Sequence, residues 1–313
     1  MHTIGVDIPE DLDLLCVVGP TASGKSDLAI SIAKRLLEQG KYAGVDIINA
    51  DSYSLYKKLD IGTAKVSLLE RQELLEQYGI NHFEIDVLEP TQTSNAAEYQ
   101  QRVLPLIEQL HQQNRLPILV GGSGLYIRAV IDQFEFQGVD LELRDALAER
   151  AKLEGTDVLY AELLKLDPKT AKTLDRQNTR RIIRAIEVIQ TSKKSYQNQL
   201  PEYTYRFPDT LQLSINLPRE MLDARIDART LKMRELDLEG EVRGLFKSEE
   251  LGQTAVKAIG YSEFVNYFEG KPNPANGKTM TVDDVYIQIA QHTKRLVRRQ
   301  QSWFNRDPRI IFQ

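Results

Sequence analysis

Apolar positions in this chain fall into short continuous runs that alternate with longer stretches of helical spacing. Residues 14–18, LLCVV, are apolar throughout, as in a strand buried on both faces. Ala29, Ile32, Ala33, Leu36 and Leu37 then recur at helical spacing, so a helix is expected to start near Lys25. Residues 45–50 (VDIINA) predict a second strand closed by Asp51, and 82–88 (HFEIDVL) a third. Residues 98–113 have helical spacing through Val103, Leu106, Ile107 and Leu110. A further buried strand, 116–120 (LPILV), ends in Gly121, Gly122, Ser123 and Gly124. Strands alternating with helices to about residue 130 predict an α/β fold with a parallel, doubly wound sheet.

The pattern then changes. From about 136 to 200 charged residues become dense and helical spacing dominates, which predicts a mostly helical insertion between core segments 1–135 and 201–313. Residues 211–217 (LQLSINL) alternate like a strand that returns to the core sheet, and a helix-rich part follows from Arg219. Residues 271–277 (KPNPANG) read as a loop. The last long helix is expected to begin at Thr281, with Asp284 completing a capping-box-like pair. Val285, Ile289, His292, Leu296, Gln300 and Trp303 fall on one stripe of it, with Lys294 and Arg298 opposite and Arg295 and Arg299 to one side.

The first strand runs into Gly19, Pro20, Thr21, Ala22, Ser23, Gly24, Lys25 and Ser26, which fits G-x-x-x-x-G-K-[ST] at every fixed position. A buried strand aims such a loop, glycines let its backbone wrap an anion, and free N–H groups at the helix start meet negative charge. Lys25 can reach a terminal phosphate and Ser26 can hold Mg²⁺. The expected fold is therefore a P-loop NTPase-like parallel sheet flanked by helices, and its ligand a polyphosphate or pyrophosphate. In such sheets ligands sit beyond the carboxyl ends of the strands, where this loop, Asp51 and the 121–124 turn all lie.

Asp51 suits a general base or a Mg²⁺ ligand beside the loop, and equally a turn aspartate capping Ser54 or its neighbours. The 121–124 turn can bring Ser123 to a ligand or simply permit tight packing. Arg180, Arg181 and Arg184 open a helix with Ile182, Ile183, Ile186 and Ile189 on its apolar side. They suit phosphate binding, or a solvated face paired to Asp175 and Glu187. The four cations of the last helix, with no acid nearby, invite the same two readings. His82, His111 and His292 are dispersed without metal-ligand spacing, so a structural zinc site is not expected.

Net charge of -5 argues against a protein coated in nucleic acid, but leaves room for local basic tracks. No apolar run approaches the roughly 20 residues needed to span a bilayer. The start, MHTIGVDIPEDLD, is short and acidic, so neither a signal nor a transit peptide is expected. The single cysteine, Cys16, reads as a small core hydrophobe, and the lack of any intrachain disulfide fits a reducing cytoplasm.

Several longer segments carry a resemblance. GPTASGKS at 19–26, INADSYSLYKKLDIGTAK at 48–65 and PILVGGSGLYI at 117–127 resemble the bacterial tRNA dimethylallyltransferases, the IPP transferase family. RRIIRAIEV at 180–188, LDARIDAR at 222–229, VKAIGYSEF at 256–264 and TKRLVRRQQSWF at 293–304 extend the likeness over nearly the whole chain, in the family's order. The resemblance implies transfer of a dimethylallyl group from dimethylallyl diphosphate to N6 of adenosine 37, beside the tRNA anticodon. It implies that Asp51 is the base on the adenine amine, that Thr21 sits at the reacting end of the donor, and that Lys25 and Arg229 stabilise the leaving diphosphate. Ser26 would help hold Mg²⁺, and Arg181 matches the family arginine near the reactive pocket. Asp51, Ser52, Tyr53 and Ser54 would touch RNA, as would Arg180, Arg181, Ile182, Ile183 and Arg184. So would Lys257, Ala258, Ile259, Gly260, Tyr261 and Ser262, together with Ser123 and Arg144. The helical insertion would grip the anticodon arm, and the enzyme is expected to be a cytoplasmic monomer.

Three rivals remain at this level. A small-metabolite kinase would use the loop for ATP and Arg225 or Arg229 as a lid, but leaves the DIGTAK segment without a task. A transferase acting on free adenine nucleotides keeps the chemistry and loses the need for an RNA-gripping insertion. A GTPase-like module would need an N/T-K-x-D tetrapeptide, which the sequence lacks.

Overall fold

The computed structural model describes residues 8–9, 11–133, 135–136, 140–193, 195–196 and 202–313. Most of the acidic start and the expected boundary at 200/201 lie outside them. The chain divides into two compact units: one runs to Asp132 and resumes as Tyr205–Gln313, and the other is Gln133–Thr204. The expected insertion, 136–200, falls within the second.

The first unit opens with β1 (Leu14–Val18), α1 (Lys25–Glu38), β2 (Gly44–Asn49), α2 (Leu68–Tyr78) and β3 (His82–Phe83). It continues through α3 (Ala96–Gln112), β4 (Arg115–Gly121) and α4 (Gly124–Ile131). The second unit holds α5 (Leu141–Glu154), α6 (Thr156–Leu166), α7 (Pro168–Thr173) and α8 (Thr179–Ser192). The chain then returns as β5 (Thr210–Ser214), α9 (Arg219–Glu235), α10 (Leu238–Lys247), α11 (Tyr261–Phe268), α12 (Val282–Phe304) and β6 (Ile310–Phe312).

One six-stranded sheet, ordered β3-β2-β4-β1-β5-β6, is parallel at every pairing. This is the P-loop NTPase-like arrangement. β1 lies at its centre, Cys16 pairing with Leu119 on one side and Gln212 on the other. Every β1 residue is buried, which its run of β-branched and aliphatic side chains requires of a strand covered on both faces. The chain leaves β1 toward β2 on one side, while β5 flanks it on the other, so the crevice beyond β1 and β4 is a topological switch point.

Cys16 is a free, buried thiol whose pKa burial pushes up, so it is an inert core residue. Among the described residues no helix is long and apolar enough to cross a membrane.

Two expectations are corrected. The strand expected over 82–88 stops at Phe83, because Glu84 and Asp86 adopt φ of 57° and leave the extended region. The N–H groups of Asp86, Val87 and Leu88 donate instead to the carbonyls of Ser54 and Leu55. The seam of α12 runs through Val285, Ile289, Thr293, Val297, Gln300 and Phe304, with His292, Leu296 and Trp303 half-buried at its edge. Nor are its cations all free of acids, since Lys294 pairs with Asp227 of α9 at 2.7 Å.

The second unit has its own core, in which Leu147, Leu159, Leu163, Ile182, Ile183 and Ile186 are buried together. Glu187, also buried there, accepts Arg144 and Arg184 at 3.0 Å each and the Asp140 N–H at 2.9 Å. The chain enters and leaves this unit along adjacent backbone. Asp132 bridges Tyr205, Gln133 donates to the Thr204 carbonyl at 3.0 Å, and Arg206 donates to the Ile131 carbonyl at 2.7 Å.

Two stability predictions follow from these elements. Thr281 caps α12 through a full capping box: its hydroxyl accepts the Asp284 N–H at 3.2 Å, and Asp284 accepts the Thr281 N–H at 2.9 Å. Thr281→Ala is expected to cost about 1 kcal/mol, seen as a lower urea midpoint at unchanged slope. His82 is half-buried with no hydrogen-bond partner for either ring nitrogen among the described residues, and burial, then the charge of Arg71, lowers its pKa to about 4. The fold keeps this imidazole neutral while the unfolded chain protonates near 6.5, so stability should fall as pH drops from 6.5 toward 4. His82→Phe should flatten the pH profile of unfolding in the upper part of that window, above about pH 5.5, where ordinary carboxylates have finished titrating.

Candidate active site

The loop after β1 has the backbone of an anion cradle. Gly19 and Gly24 take φ of 146° and 90°, and Ala22 takes 66°. Gly24 is the N-cap of α1 and offers no side-chain cap, so the first-turn N–H groups stay available to an anion. Lys25 folds back over the loop, its Nζ donating to the Pro20 carbonyl at 3.4 Å. Among the described residues the buried Ser23 Oγ has no hydrogen-bond partner.

Two side chains from distant sequence hold this loop. Arg225 of α9 donates through Nη1 to the carbonyls of Ser23 at 3.1 Å and Ala22 at 3.4 Å. It therefore buttresses the loop, where the kinase reading would have made it a lid. Gln300 of α12 accepts the Thr21 N–H at 2.9 Å and donates to the Gly122 carbonyl at 3.0 Å. Its buried amide joins the phosphate-type loop to the glycine-rich turn after β4.

That turn is glycine-rich for packing. A Cβ on Gly121 would overlap the Ala50 backbone, one on Gly122 would meet the Gln300 amide, and one on Gly124 would strike the Trp303 ring. Ser123 does not line the cavity described below. Its Oγ accepts the Ser52 N–H at 3.1 Å, so it braces the segment that carries Asp51. Asn49 braces the same segment, donating to the carbonyls of Asp51 at 3.1 Å and Glu84 at 2.8 Å. Asp51 itself accepts the Tyr53 N–H through Oδ1 at 3.1 Å. It is thus a turn aspartate as well as a carboxylate facing the loop.

Thr21, Ala22, Gly24, Lys25 and Ser26 share one cavity of about 210 Å³ with Asp51, Ser54 and Arg229. Its walls include Ile47, Ile85 and Val120, beside Asn49 and His82. Burial lowers the pKa of Lys25, with Asp51 opposing and Arg229 reinforcing that shift. Burial likewise lowers that of Arg229, again with Asp51 opposing. Two half-buried cations and one carboxylate therefore interact in a single pocket. A larger groove of about 1240 Å³ shares Ser26, Lys65 and Arg229 with it and extends past Arg71 and Lys232.

The remaining predicted residues divide by exposure. In the second unit Arg180 and Arg181 are exposed, Ile182 and Ile183 belong to the core, and Arg144 and Arg184 are half-buried on Glu187. In the first unit Lys257 is exposed and Ile259 and Ser262 are half-buried, whereas Ala258, Gly260 and Tyr261 are buried. The side chains of Ile182, Ile183, Ala258 and Tyr261 thus serve packing rather than a contact surface. Tyr53 and Ser52 are half-buried and Ser54 is buried within the cavity wall. Sequence reasoning missed Asn49, His82 and the bracing role of Gln300. Only Gln300 left a signal, as a polar residue on an otherwise mostly apolar stripe.

No cluster of three or more His, Cys, Asp or Glu suited to a metal occurs among the described residues. Two carboxylates, Asp27 and Asp51, lie in the cavity wall with the hydroxyl of Ser26. One or two such protein oxygens suit Mg²⁺, which completes its shell with phosphate and water.

The family model described as IPP transferase matches residues 54–307. A tRNA dimethylallyltransferase of Bifidobacterium adolescentis is 45% identical over 302 residues, covering 96% of this chain and 84% of its own. The crystal structure of a tRNA isopentenylpyrophosphate transferase of Bacillus halodurans is 31% identical and covers 97% of this chain and 90% of its own, with a TM-score of 0.65. A eukaryotic dimethylallyltransferase acting on tRNA shares the fold, with a TM-score of 0.74 at 22% identity over 96% of this chain and 73% of its own. With a family model across most of its length and such identities along nearly all of it, the chain belongs to the IPP transferase family.

Proposed function

We propose that this chain transfers the dimethylallyl group of dimethylallyl diphosphate to N6 of adenosine 37 in the anticodon loop of tRNA, releasing diphosphate. The observation that carries the reading is the shared cavity: an anion-cradling loop with Lys25, a second cation from Arg229, and the Asp51 carboxylate line one small space. The diphosphate takes the N–H groups at the start of α1 together with Lys25 and Arg229, and Thr21 stands beside the reacting carbon. A kinase would place a transferable phosphoryl group there and leave an apolar wall of Ile47, Ile85 and Val120 unused, whereas a five-carbon chain uses it.

The exocyclic amine of adenine is a poor nucleophile because its lone pair is delocalised into the ring. The N6 nitrogen attacks the first carbon of the dimethylallyl group, the carbon–oxygen bond to diphosphate breaks, and the leaving group keeps the electron pair. Asp51 accepts the proton that N6 loses, and Lys25 and Arg229 face a leaving diphosphate that carries one more negative charge than it did as an ester. Mg²⁺ held by Ser26 and the diphosphate would supply further neutralisation of the leaving group.

To present N6, the adenine leaves its stack. We assign the grip on the anticodon arm to the helical unit Gln133–Thr204, with exposed Arg180 and Arg181, and to Lys257. With a net charge of -5, RNA binding rests on such local cations and weakens steeply with salt. The loop, the carboxylate and both cations belong to one chain, so the proposed site draws on no residue of a second copy.

The direct test is mass spectrometry of anticodon-loop adenosines after incubation with dimethylallyl diphosphate and Mg²⁺, where one added C5H8 unit at position 37 is expected. Asp51→Ala should lower turnover by about 10²–10⁴-fold while tRNA affinity stays near that of the parent. Equal losses in both would remove the base assignment. Lys25→Ala should raise the donor KM strongly and leave tRNA binding unaltered in filter or anisotropy titrations. Intact donor use would mean that the loop serves another ligand.

A further inference from the structure

Three successive backbone N–H groups, from Asp60, Ile61 and Gly62, converge on the carboxylate of Glu241 in α10, at 3.1, 2.9 and 3.4 Å. Amides in this arrangement form a nest for an anion, and here the chain supplies the anion itself. The Tyr261 hydroxyl donates to the same carboxylate. Its ring fills the space that a Cβ on Gly62 would occupy, and the residue is wholly buried.

The other side of this turn faces the cavity. The carbonyls of Gly62 and Thr63 accept Nη2 of Arg229 at 3.3 and 2.9 Å, and Thr63, Ala64 and Lys65 line the cavity beside it. A guanidinium carries five N–H donors on a long, rotatable stem. Two carbonyls that fix one nitrogen set the direction of the rest, provided that the turn bearing them does not move. Nothing in the reaction described above gives Glu241 or the 60–63 turn a task.

We propose that Glu241 is a positioning residue for the donor site: it holds the 60–63 turn from behind, with Tyr261 orienting its carboxylate, so that Gly62 and Thr63 aim Arg229 at the donor's diphosphate. The assignment rests on the reading of Arg229 as a diphosphate ligand. It gives the DIGTAK segment a physical purpose as a rigid strut between a carboxylate and a guanidinium. It also explains why Tyr261 is withdrawn from the surface: its hydroxyl is occupied on the strut.

Glu241→Gln preserves volume but removes the charge and replaces one of the two acceptor oxygens by an NH₂, so either the Asp60 and Ile61 N–H groups or the Gly62 N–H and the Tyr261 hydroxyl lose their acceptor. Tyr261→Phe removes only the orienting hydroxyl. In each variant the affinity for inorganic diphosphate is measured by calorimetry, the KM for dimethylallyl diphosphate and for an anticodon stem-loop by steady-state assay, and the melting temperature by calorimetric scan. Glu241→Gln is expected to weaken diphosphate binding and raise the donor KM about tenfold, and Tyr261→Phe about threefold, with the stem-loop KM within about twofold of the parent. In an Arg229→Ala background Glu241→Gln should add nothing further, because both changes remove one function. Unchanged diphosphate affinity in a folded Glu241→Gln protein would overturn the proposal. So would losses that multiply in the double variant, or a lower melting temperature and kcat at unaltered donor KM, which mark a residue that merely supports the fold. The diphosphate titration reads this assignment without any acceptor, so it stands or falls separately from the identity of the RNA.

Discussion

Lys25 and Arg229 interact with Asp51 in one small pocket, and most of the first unit can be understood as the means of keeping them there. Burial lowers the pKa of both Lys25 and Arg229, and Asp51 relieves only part of that strain in each. An arrangement with surplus positive charge in a half-buried space is poor for stability and good for receiving an anion. The fold meets the cost with hydrogen bonds to carbonyls: Lys25 rests on Pro20, and Arg229 on Gly62 and Thr63. Neutral acceptors hold the cations in place without cancelling the charge that the ligand is to meet.

The bracing comes largely from the C-terminal part of the chain. β1 and the loop that follows it lie at the N-terminal end, yet the loop is pinned by Arg225 and Gln300, and the turn opposite by Arg229 and Glu241. Local sequence fixes the conformation of the phosphate-type loop through its glycines, and long-range contacts fix its position. Side chains arriving from the C-terminal helices α9, α10 and α12 do this work, so the site is complete only once the chain has come back across the sheet.

Much of this could be read from the sequence. Periodicity located α9 to α11 only coarsely, but it found β1, β2 and β4 within a residue of their edges and β5 within three. It did so because buried parallel strands are continuous apolar runs. The Thr281 capping box was legible for the same local reason. What failed was set by tertiary contact or by single backbone angles. The left-handed residues Glu84 and Asp86 end β3 in the middle of an apolar run, and no propensity announces them. For Arg184 the sequence left phosphate binding and pairing to Glu187 both open, and the structure shows the second, on a Glu187 that is itself buried. Tyr261 matched a segment expected at the RNA and is instead enclosed on Glu241. A motif names residues that stay together through a family, and it does not say which of them face outward.

The paired backbone at residues 132–133 and 204–206 has a bearing on how such a protein can diversify. Entry and exit of the helical unit are stitched side by side, so the surrounding sheet experiences that unit as a closed hairpin whatever its internal length. Loop-closure cost is set at the stitch and grows only slowly with what lies beyond it. Helices can therefore be lengthened, shortened or exchanged beyond that point without shifting the register of β5 against β1, and that unit can vary while the residues around the cavity stay in place.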